Sequence, residues 1–273
     1  MVDMHIHTSN SDGDYTVEQI INMILELGID MFSITDHDNI KSCSEIEKIK
    51  IPENIKYIKG VEFSSINNTY NCHILGYNID DKNIDLNNEC EIIKQRRIKK
   101  IKTIIEYLKA IYQIEISDTE KTQLLEKTGT LGRIDICKLL IQKGYGTKKE
   151  IYDKYLSNIP NIKTHRSNIE QIIKIINESN GISVLAHPKE IEETYNIYIE
   201  DIIESFIEKG LDGIEIYNSI HTLKDVKRYI LLAKKYNLLM TGGSDFHGSS
   251  HPERHLGYTT TKQKIIKINE LKI

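Results

Sequence analysis

Short apolar segments alternate with amphipathic segments along most of the chain, and this rhythm constrains the fold more than any other feature. The apolar segments have the length of β-strands, and the amphipathic ones carry apolar residues at helical spacing. The first helix has a clear start and stop, because Thr16 can cap it and Gly28 can end it. Alternation of this kind predicts an α/β fold with a largely parallel sheet, open or closed into a barrel. The predicted strands are 2–7, 30–35, 55–63, 72–77, 182–186, 213–217 and 238–242, and the predicted helices outside the region discussed next are 17–27, 167–179, 199–209 and 223–236.

Residues 89–164 break this rhythm, because the whole segment has a helical pattern. A second periodic stretch, LGRIDICKLLIQKG, lies in its later part. We therefore predict a barrel domain formed by residues 1–88 and 165–273, and an inserted helical subdomain at 89–164 of a size that could cap a substrate. The apolar residues at helical spacing in the first part of the insertion are Ile98, Ile101, Ile105, Leu108 and Ile111.

Composition excludes several classes of protein. The chain has 273 residues and a formal net charge of −4, which suits one large domain with an insertion and argues against a generic DNA-coating protein. No apolar run reaches the roughly 18 residues of a membrane span, and the first residues lack a secretory pattern, so we expect a cytoplasmic protein without a membrane partner. Four cysteines are scattered without a CxxC pair, which argues against a disulfide framework or a thiolate zinc site.

The first predicted strand, MVDMHIH, places two histidines on one face. Because successive side chains of a strand point to opposite faces, His5 and His7 share one volume and lie about 7 Å apart along the strand. Buried imidazole needs partners, and a metal ion supplies them. Asp12 follows in a loop with Gly13, which can bring the carboxylate back over the strand end. An isolated HxH pattern also occurs without a metal, so the pair needs support from the rest of the chain.

Polar residues at the ends of other strands supply that support. The second strand ends in ITDHD, the third in GVEFSS, and two later strands run into LAHP and GGSDFHG, while the fourth contains NCHILGY. In an α/β barrel the C-terminal ends of the strands converge on one face, where such enzymes keep their active sites. The residues that we expect to converge are His5, His7, Asp12, His37, Glu62, His73, His187, Asp245 and His247.

Each of these positions has an ordinary alternative when it is taken alone. His73 could be a satisfied core residue, Glu62 could pair with a lysine, and Asp38 could form a turn. Taken together, the alternatives require nearly every strand end to carry His, Asp or Glu by accident while the strand interiors stay apolar. The joint pattern therefore favours a metal centre.

Nine such ligands are too many for one ion. Histidine and carboxylate ligands without cysteine suit zinc, manganese or iron, and nine of them fit two or three ions that share a bridging carboxylate. Two-metal sites activate water and stabilise both the attacking and the leaving oxygen of a phosphoryl displacement. The residues thus favour hydrolysis of a phosphoester, with amide hydrolysis or deamination on a similar barrel as the alternative.

In combination, six blocks of the sequence resemble the polymerase-and-histidinol-phosphatase (PHP) superfamily. They are HIHTSNSDG, ITDHD, GVEFSS, HILGY, LAHP and GSDFHG, and they follow the family's order over nearly the whole chain. The intervening sequence is similar to one branch, the nucleotide phosphoesterases that act on AMP or 3′,5′-bisphosphonucleosides and trim the 5′ ends of short RNA. The segments that carry this second similarity are GRIDICKLLIQKGYGTKKEIYDKYL, GIEIYNSIH and HLGY.

The resemblance implies a distorted seven-stranded β/α barrel with two to three divalent ions, Mn²⁺, Fe²⁺ or Zn²⁺, at its C-terminal face. A metal-bridging hydroxide would attack phosphorus, and Asp12 and His187 are expected to be catalytic as well as metal-binding. Asp36 is expected to orient a ligand histidine, with a helix cap as its alternative. The implied ligand sets are His5, His7, Glu62 and Asp245 for one ion, Glu62, His73 and His187 for a second, and Asp12, His37 and His247 for a third.

The resemblance also suggests contacts to the substrate. Arg133 aligns with the inserted arginine that the branch directs at a phosphate, to which a guanidinium binds through two parallel hydrogen bonds. Two positions depart from the branch, because Asp135 stands where a histidine is usual and Lys189 begins the pair that replaces Gly-Arg after LAHP. The basic residues that could compensate, unless they are ordinary surface positions, are Lys163, His165, Arg166 and Lys189.

The leading functional hypothesis is a metal-dependent hydrolase of a nucleotide phosphate monoester, either a 3′,5′-bisphosphonucleoside or AMP, that also acts on short 5′-phosphorylated RNA. A histidinol-phosphate phosphatase is one alternative, which the insertion carrying Arg133 disfavours. A non-catalytic PHP-type regulatory module is another, although all nine ligand positions are filled. We expect no obligate protein partner.

Overall fold

The computed structural model describes residues 1–67, 69–127, 129–157, 159 and 166–259. The chain divides into two compact units. Unit 1 is formed by Met1–Cys90 together with Arg166–Ile273, and unit 2 by Glu91–His165. Among the described residues, no helix combines the length and the apolar character that crossing a membrane requires.

All strands of the described residues lie in unit 1, where they form two sheets. The order is β1-β2-β3 in the smaller sheet and β6-β4-β5-β7-β8-β9 in the larger one. The strands are β1 (Val2–Ile6), β2 (Met31–Ile34), β3 (Lys56–Tyr57), β4 (Gly60–Asn67), β5 (Tyr70–Tyr77), β6 (Ser167–Asn168), β7 (Ile182–Leu185), β8 (Gly213–Tyr217) and β9 (Leu239–Gly242).

Helices alternate with these strands, as the sequence pattern predicts, and the mixed α/β fold is confirmed. The helices are α1 (Val17–Leu27), α2 (Lys41–Ile46), α3 (Ile84–Tyr112), α4 (Asp118–Leu125), α5 (Arg133–Gln142), α6 (Lys148–Ile151), α7 (Ile169–Glu178), α8 (Pro188–Tyr195), α9 (Ile203–Ile207) and α10 (Leu223–Tyr236). Short 3₁₀ turns occur at Ile199–Asp201 and Gly248–Ser250, and a π-helical turn at Tyr152–Leu156.

Local signals determine the ends of α1. The Thr16 side chain accepts from the backbone N–H of Gln19, and the Gln19 side chain accepts from the Thr16 backbone in return. The helix ends at Gly28, whose φ of 66° lies in the left-handed region that glycine adopts without strain. The observed bounds coincide with the predicted ones because every signal that sets them lies within the helix itself.

One strand departs from the expected parallel order. β5 is antiparallel to both of its neighbours, β4 and β7, whereas the other strand pairs are parallel. It follows β4 through a short hairpin, and a parallel neighbour would need a crossover of a dozen or more residues. The N-terminal half of β5 consequently lies beside the C-terminal half of β4, and His73 pairs with Ser64.

Backbone hydrogen bonds connect the two sheets at both sides. Beyond the end of β9, the Asp245 N–H donates to the His5 carbonyl at 2.8 Å. Beyond the end of β2, the Asp38 N–H donates to the Glu62 carbonyl at 2.9 Å, and the Glu62 N–H donates to the Asp36 carbonyl at 3.2 Å. Closure of the sheets into a seven-stranded barrel stays a prediction.

Apolar clusters support the sheets of unit 1 from two sides. α1 packs Ile20 and Ile24 against Phe32 of β2. A separate cluster joins Met4 of β1 to Tyr77 of β5, and the Tyr77 hydroxyl donates to the Met4 carbonyl at 2.9 Å. These contacts bury the apolar side chains of β1, β2 and β5 in the interior of unit 1.

The described secondary structure of unit 2 is entirely helical. It comprises the later part of α3 together with α4, α5, α6 and the π-helical turn. Its core contains Ile104 and Leu108 of α3 and Leu140 of α5, all fully buried. A role for this unit as a substrate cap stays a prediction.

Candidate metal centre

The centre begins at β1, which presents two buried imidazole rings. His5 and His7 are 0% and 1% exposed, and their ring centroids lie 5.2 Å apart. The chain after β9 approaches β1 so closely that a Cβ on Gly243 would lie 2.3 Å from the His5 backbone nitrogen. Only glycine permits this approach, which brings the following Asp245 and His247 to the same place.

Glu62 of β4 lies at the middle of the centre, surrounded by five imidazole rings. Its Oε2 is 3.1–3.2 Å from a nitrogen of each of three rings, and its Oε1 is 3.0 Å from a nitrogen of each of the other two. The three rings near Oε2 are His5, His7 and His37, and the two near Oε1 are His73 and His187. A carboxylate that offers one oxygen to each of two groups of imidazoles has the arrangement of a bridging ligand.

Two aspartates extend the cluster beyond Glu62. Asp245 Oδ1 lies 3.3 Å from His7 Nε2 and 3.5 Å from His5 Nε2. Asp12 Oδ1 lies 3.3 Å from His247 Nε2. The Asp12 side chain is 31% exposed, whereas those of Glu62 and Asp245 are 1% and 4% exposed. Asp12 therefore stands at the open side of the centre.

The structure brings all nine predicted ligands together. Their donor atoms fall into four overlapping groups, in each of which the atoms lie within 4.8 Å of one another. The groups are His7, Asp12, His37 and His247; His5, His7 and Asp245; His5, Glu62 and His187; and His37, Glu62 and His73. Because several residues belong to two groups, the assignment of each residue to a particular ion stays a proposal.

The orientation of the side chains fits metal ligation better than hydrogen bonding. His5 Nε2, His7 Nε2 and Glu62 Oε2 are buried and form no hydrogen bond of acceptable geometry, although they converge to within 3.1–3.2 Å. Buried polar atoms without partners are costly in a folded protein. A divalent ion would satisfy all three atoms at once.

The protonation states of Glu62 and His37 suit a cation. Burial alone would raise the pKa of Glu62, but the surrounding His37 and His5 outweigh it and hold the pKa well below its usual range. Burial lowers the pKa of His37 to about 4. For His7 burial acts in the same direction, but Asp245 and Glu62 outweigh it and raise the pKa to about 9. Ionised Glu62 and neutral His37 are in the form that binds metal, whereas His7 would release a proton when an ion binds.

Strained backbone directs two of these side chains inward. His187 has a φ of 24° and Asp245 a φ of 54°, both in the region that residues with a Cβ rarely adopt. Each residue follows closely on the end of a strand, at the point where the chain turns away from the sheet. Strain of this kind persists only where surrounding contacts enforce it, and it is common at active sites.

A comparison with protein families decides the identity of this fold. The family model described as the PHP domain matches residues 3–219, which is well over half of the chain. The chain belongs to the PHP family. The predicted resemblance is thereby confirmed.

Three curated relatives of this PHP protein are named as phosphoric ester hydrolases, so the predicted class of enzyme is confirmed as well. A 5′-3′ exoribonuclease Rnm of Escherichia coli is 30% identical over 90% of this chain and 84% of its own length. A phosphoribosyl 1,2-cyclic phosphate 1,2-diphosphodiesterase of Eggerthella lenta is 25% identical over 94% of this chain and 97% of its own. A 3′,5′-nucleoside bisphosphate phosphatase of Chromobacterium violaceum is 25% identical over 94% of this chain and 91% of its own.

A solved structure supports the fold. An amidohydrolase from Chromobacterium violaceum with bound sulfate superposes with a TM-score of 0.79, at 24% identity, over 96% of this chain and 92% of that one. At this level of identity the likeness concerns the fold alone.

Glu215 of β8 supports the PHP centre, and sequence reasoning missed it. Its Oε1 lies 3.0 Å from His5 Nδ1, which leaves His5 Nε2 to face Glu62. Its Oε2 accepts from the His187 backbone N–H at 2.7 Å and from Asn218 Nδ2 at 3.0 Å. A carboxylate on the second nitrogen of a ligand histidine fixes the tautomer and the ring orientation. The only sequence signal was an acidic residue inside the apolar strand GIEIY.

Asp36 organises the loop that follows β1. It is fully buried, and it accepts from the Thr8 N–H at 2.7 Å and from the Ser11 hydroxyl at 2.6 Å. Ser11 Oγ in turn lies 3.4 Å from His7 Nδ1, so a link from Asp36 to a candidate ligand histidine passes through Ser11. The helix-cap alternative is wrong, because α2 has Ile40 as its cap residue and no side chain caps it.

One predicted substrate contact lies beside the centre. Arg166 lines a cavity of about 160 Å³ together with His73, His187 and Tyr195. A guanidinium next to two candidate metal ligands is suited to a phosphate oxygen.

The other predicted substrate contacts have different surroundings. Lys189 Nζ donates to Asp225 at 2.9 Å, so its charge is already paired. Arg133 is the first residue of α5 in unit 2, where its Nη1 donates to the Leu156 carbonyl at 3.4 Å. Lys163 and His165 lie outside the described residues.

Asp135 has a structural explanation for its departure from the branch pattern. Its Oδ2 accepts from the Gly132 N–H at 2.8 Å, and its Oδ1 accepts from Lys127 Nζ at 2.8 Å. It therefore caps the N-terminus of α5.

Proposed function

We propose that this PHP protein hydrolyses a phosphate monoester of a nucleotide, a 3′,5′-bisphosphonucleoside or AMP, and acts on short 5′-phosphorylated oligoribonucleotides. The observation that carries the proposal is the buried Glu62 carboxylate with imidazoles at both of its oxygens. The substrate class is supported by the relatives from Escherichia coli and Chromobacterium violaceum, whose names refer to RNA and to nucleoside bisphosphates.

Two to three divalent ions, Mn²⁺, Fe²⁺ or Zn²⁺, complete the proposed site. The residues that hold them are His5, His7, Asp12, His37, Glu62, His73, His187, Asp245 and His247. When bound, such ions polarise the phosphoryl oxygens and lower the pKa of water.

Three residues of the chain have further roles in orienting a ligand, binding phosphate and facing the substrate. His187 is oriented from its second nitrogen, because its Nδ1 lies 3.0 Å from the Glu190 carboxylate while its Nε2 faces Glu62. Arg166 binds a phosphate oxygen in the cavity beside His73. Asp12 faces the substrate, since its side chain is the most exposed of the three carboxylates. A phosphate contact by Arg133 rests on the resemblance alone.

A metal-reconstituted substrate screen tests the proposal. We expect turnover of AMP, 3′,5′-bisphosphoadenosine or a short 5′-phosphorylated RNA to exceed that of histidinol phosphate and of phosphoribosyl 1,2-cyclic phosphate. Preference for either of the last two would assign the chain to a different activity. Fewer than two ions per chain after metal supplementation, together with no turnover, would favour a regulatory module.

A variant pair connects the activity to the centre. His187→Gln should abolish turnover, because it removes a nitrogen from Glu62 Oε1. His255→Gln is the matched control, since His255 is exposed and its loss should leave turnover unchanged. Equal activity of the two variants would remove His187 from the site.

A further inference from the structure

The buried carboxylates of the centre differ in how their two oxygens are used. Both oxygens of Glu62 face imidazole nitrogens, at 3.0–3.2 Å. Asp245 turns only Oδ1 toward His7 and His5, at 3.3 and 3.5 Å. Its Oδ2 accepts from the guanidinium of Arg254.

Arg254 contacts Asp245 at two points. Its Nη1 donates to the Asp245 side chain and lies 3.4 Å from the Asp245 carbonyl oxygen. The Arg254 backbone N–H donates to the His251 carbonyl at 3.0 Å, which closes the turn that carries the arginine back to the centre. Its side chain is 14% exposed, so the pair lies largely out of water. Charge-assisted hydrogen bonds of this kind fix geometry as well as adding energy.

The backbone conformation of Asp245 indicates why the contact with Arg254 is needed. A φ of 54° is costly for a residue with a Cβ and must be enforced by its surroundings. Arg254 holds the side chain and the carbonyl of this residue together. No motif or resemblance in the sequence pointed to Arg254.

We propose that Arg254 is a positioning residue that occupies Asp245 Oδ2 and so keeps Asp245 a terminal ligand through Oδ1 alone. The proposal rests on the metal centre described under the proposed function. With Oδ2 free, the carboxylate could bind one ion through both oxygens or bridge two ions, as Glu62 is placed to do. Arg254 would thereby limit Asp245 to one oxygen for an ion held by His5 and His7.

Cobalt substitution provides a readout that is independent of turnover. The visible absorption of Co²⁺ reports the number and geometry of its ligands. We expect the bands of Co²⁺-loaded Arg254→Met to differ from those of the unmodified protein, because the second oxygen of Asp245 joins the ion. Arg254→Lys, which keeps the charge and one donor, should restore the original spectrum at least in part. Lys224→Met, which removes an exposed cation on α10, should leave the spectrum unchanged.

Kinetics separates positioning from substrate contact. Arg254→Met should lower kcat about tenfold with KM unchanged, at the lower end of the effects of removing groups that orient metal ligands. An unchanged cobalt spectrum would overturn the proposal, and a raised KM with unchanged kcat would make Arg254 a substrate contact instead. If Arg254→Met does not fold, Arg254→Gln carries the same spectral test.

The failure of this proposal is distinguishable from that of the proposed function. A protein that binds cobalt but hydrolyses none of the esters contradicts the function, while the spectral comparison still decides the role of Arg254. A protein that binds no cobalt overturns both.

Discussion

Units 1 and 2 bury different kinds of side chain, although each is compact. In unit 2 the buried side chains are mostly apolar, such as Ile104 and Leu140, whereas the charged Arg97 and Asp135 are buried less deeply, at 9% and 8% exposed. In unit 1 charged and titratable groups are buried as deeply as the apolar ones, and Glu62 and Glu215 are both 0% exposed. Burying a charge is costly unless it is paired. Unit 1 therefore contains a region arranged for chemistry, whereas the interior of unit 2 is arranged for stability.

Among the changes that compare the two units, the largest effect should come from the carboxylate at the middle of the metal centre in unit 1. Glu62→Gln removes the charge that faces five imidazoles, and we expect kcat/KM to fall about 10³-fold, equivalent to about 4 kcal/mol of transition-state stabilisation. Steady-state kinetics with the best substrate of the screen measures the loss. Glu47→Gln is the control, because the Glu47 side chain is 52% exposed. A variant with nearly full activity would contradict the central position of Glu62.

A cavity in unit 2 should affect stability and leave the centre intact. Leu140 is fully buried, so Leu140→Ala should cost about 2–5 kcal/mol of the free energy of unfolding of this unit. Hydrogen exchange should show the loss of protection in α5 and in the later part of α3. The exposed Ile141, at 43% exposure, provides the control variant Ile141→Ala. A lower metal content in Leu140→Ala would show that the two units are not independent in this respect.

Chelation of the metal ions should destabilise unit 1 and leave unit 2 unchanged, which is the reverse of the effect of Leu140→Ala. Removing ions that bind only the folded state lowers stability by RT ln(1 + [L]/Kd), about 2.7 kcal/mol when the ion is present at 100 times its Kd. We expect hydrogen exchange to increase in β1 and β4 of unit 1, while α5 of unit 2 stays protected. Adding Mn²⁺ back should restore the protection. Equal loss of protection in both units would argue against a metal centre confined to unit 1.

The smallest effect should come from Glu215, which contacts the candidate ligand His5 but is not itself a candidate ligand. Glu215→Gln keeps the shape of the side chain but weakens its hold on His5 Nδ1, and we expect metal affinity to fall about 10–100-fold. Competition with a chelator of known affinity measures the change. Glu204→Gln is a control in the same unit, on α9. Unchanged affinity would reduce Glu215 to a structural role.

Much of the candidate centre could be predicted from the sequence because each candidate ligand lies in a recognisable local pattern. His5 and His7 alternate along a strand, and Asp245 and His247 follow an apolar run. Residues of this kind at strand ends point to a shared site whatever the details of the sheet. The helix α1 was equally predictable, since Thr16 and Gly28 act within the same segment.

The supporting residues could not be predicted, because their partners are distant in the chain. Glu215 contacts His5 across 210 positions, and Arg254 precedes the HLGY segment without belonging to it. Only the packed strands show which nitrogen of His5 is held and which is free. Lys189 was predicted as a substrate contact, but its charge is paired with Asp225 of α10, and the sequence does not reveal this pairing.

The sequence by itself determined the alternation of strands and helices and the set of side chains available for metal binding, because both depend on local spacing. The tertiary structure decided how those side chains meet. His73 reaches Glu62 because β5 runs antiparallel to β4, which brings the first half of one strand beside the last half of the other. The pairing of strands depends on the whole folded sheet, and for that reason no local pattern could have specified it.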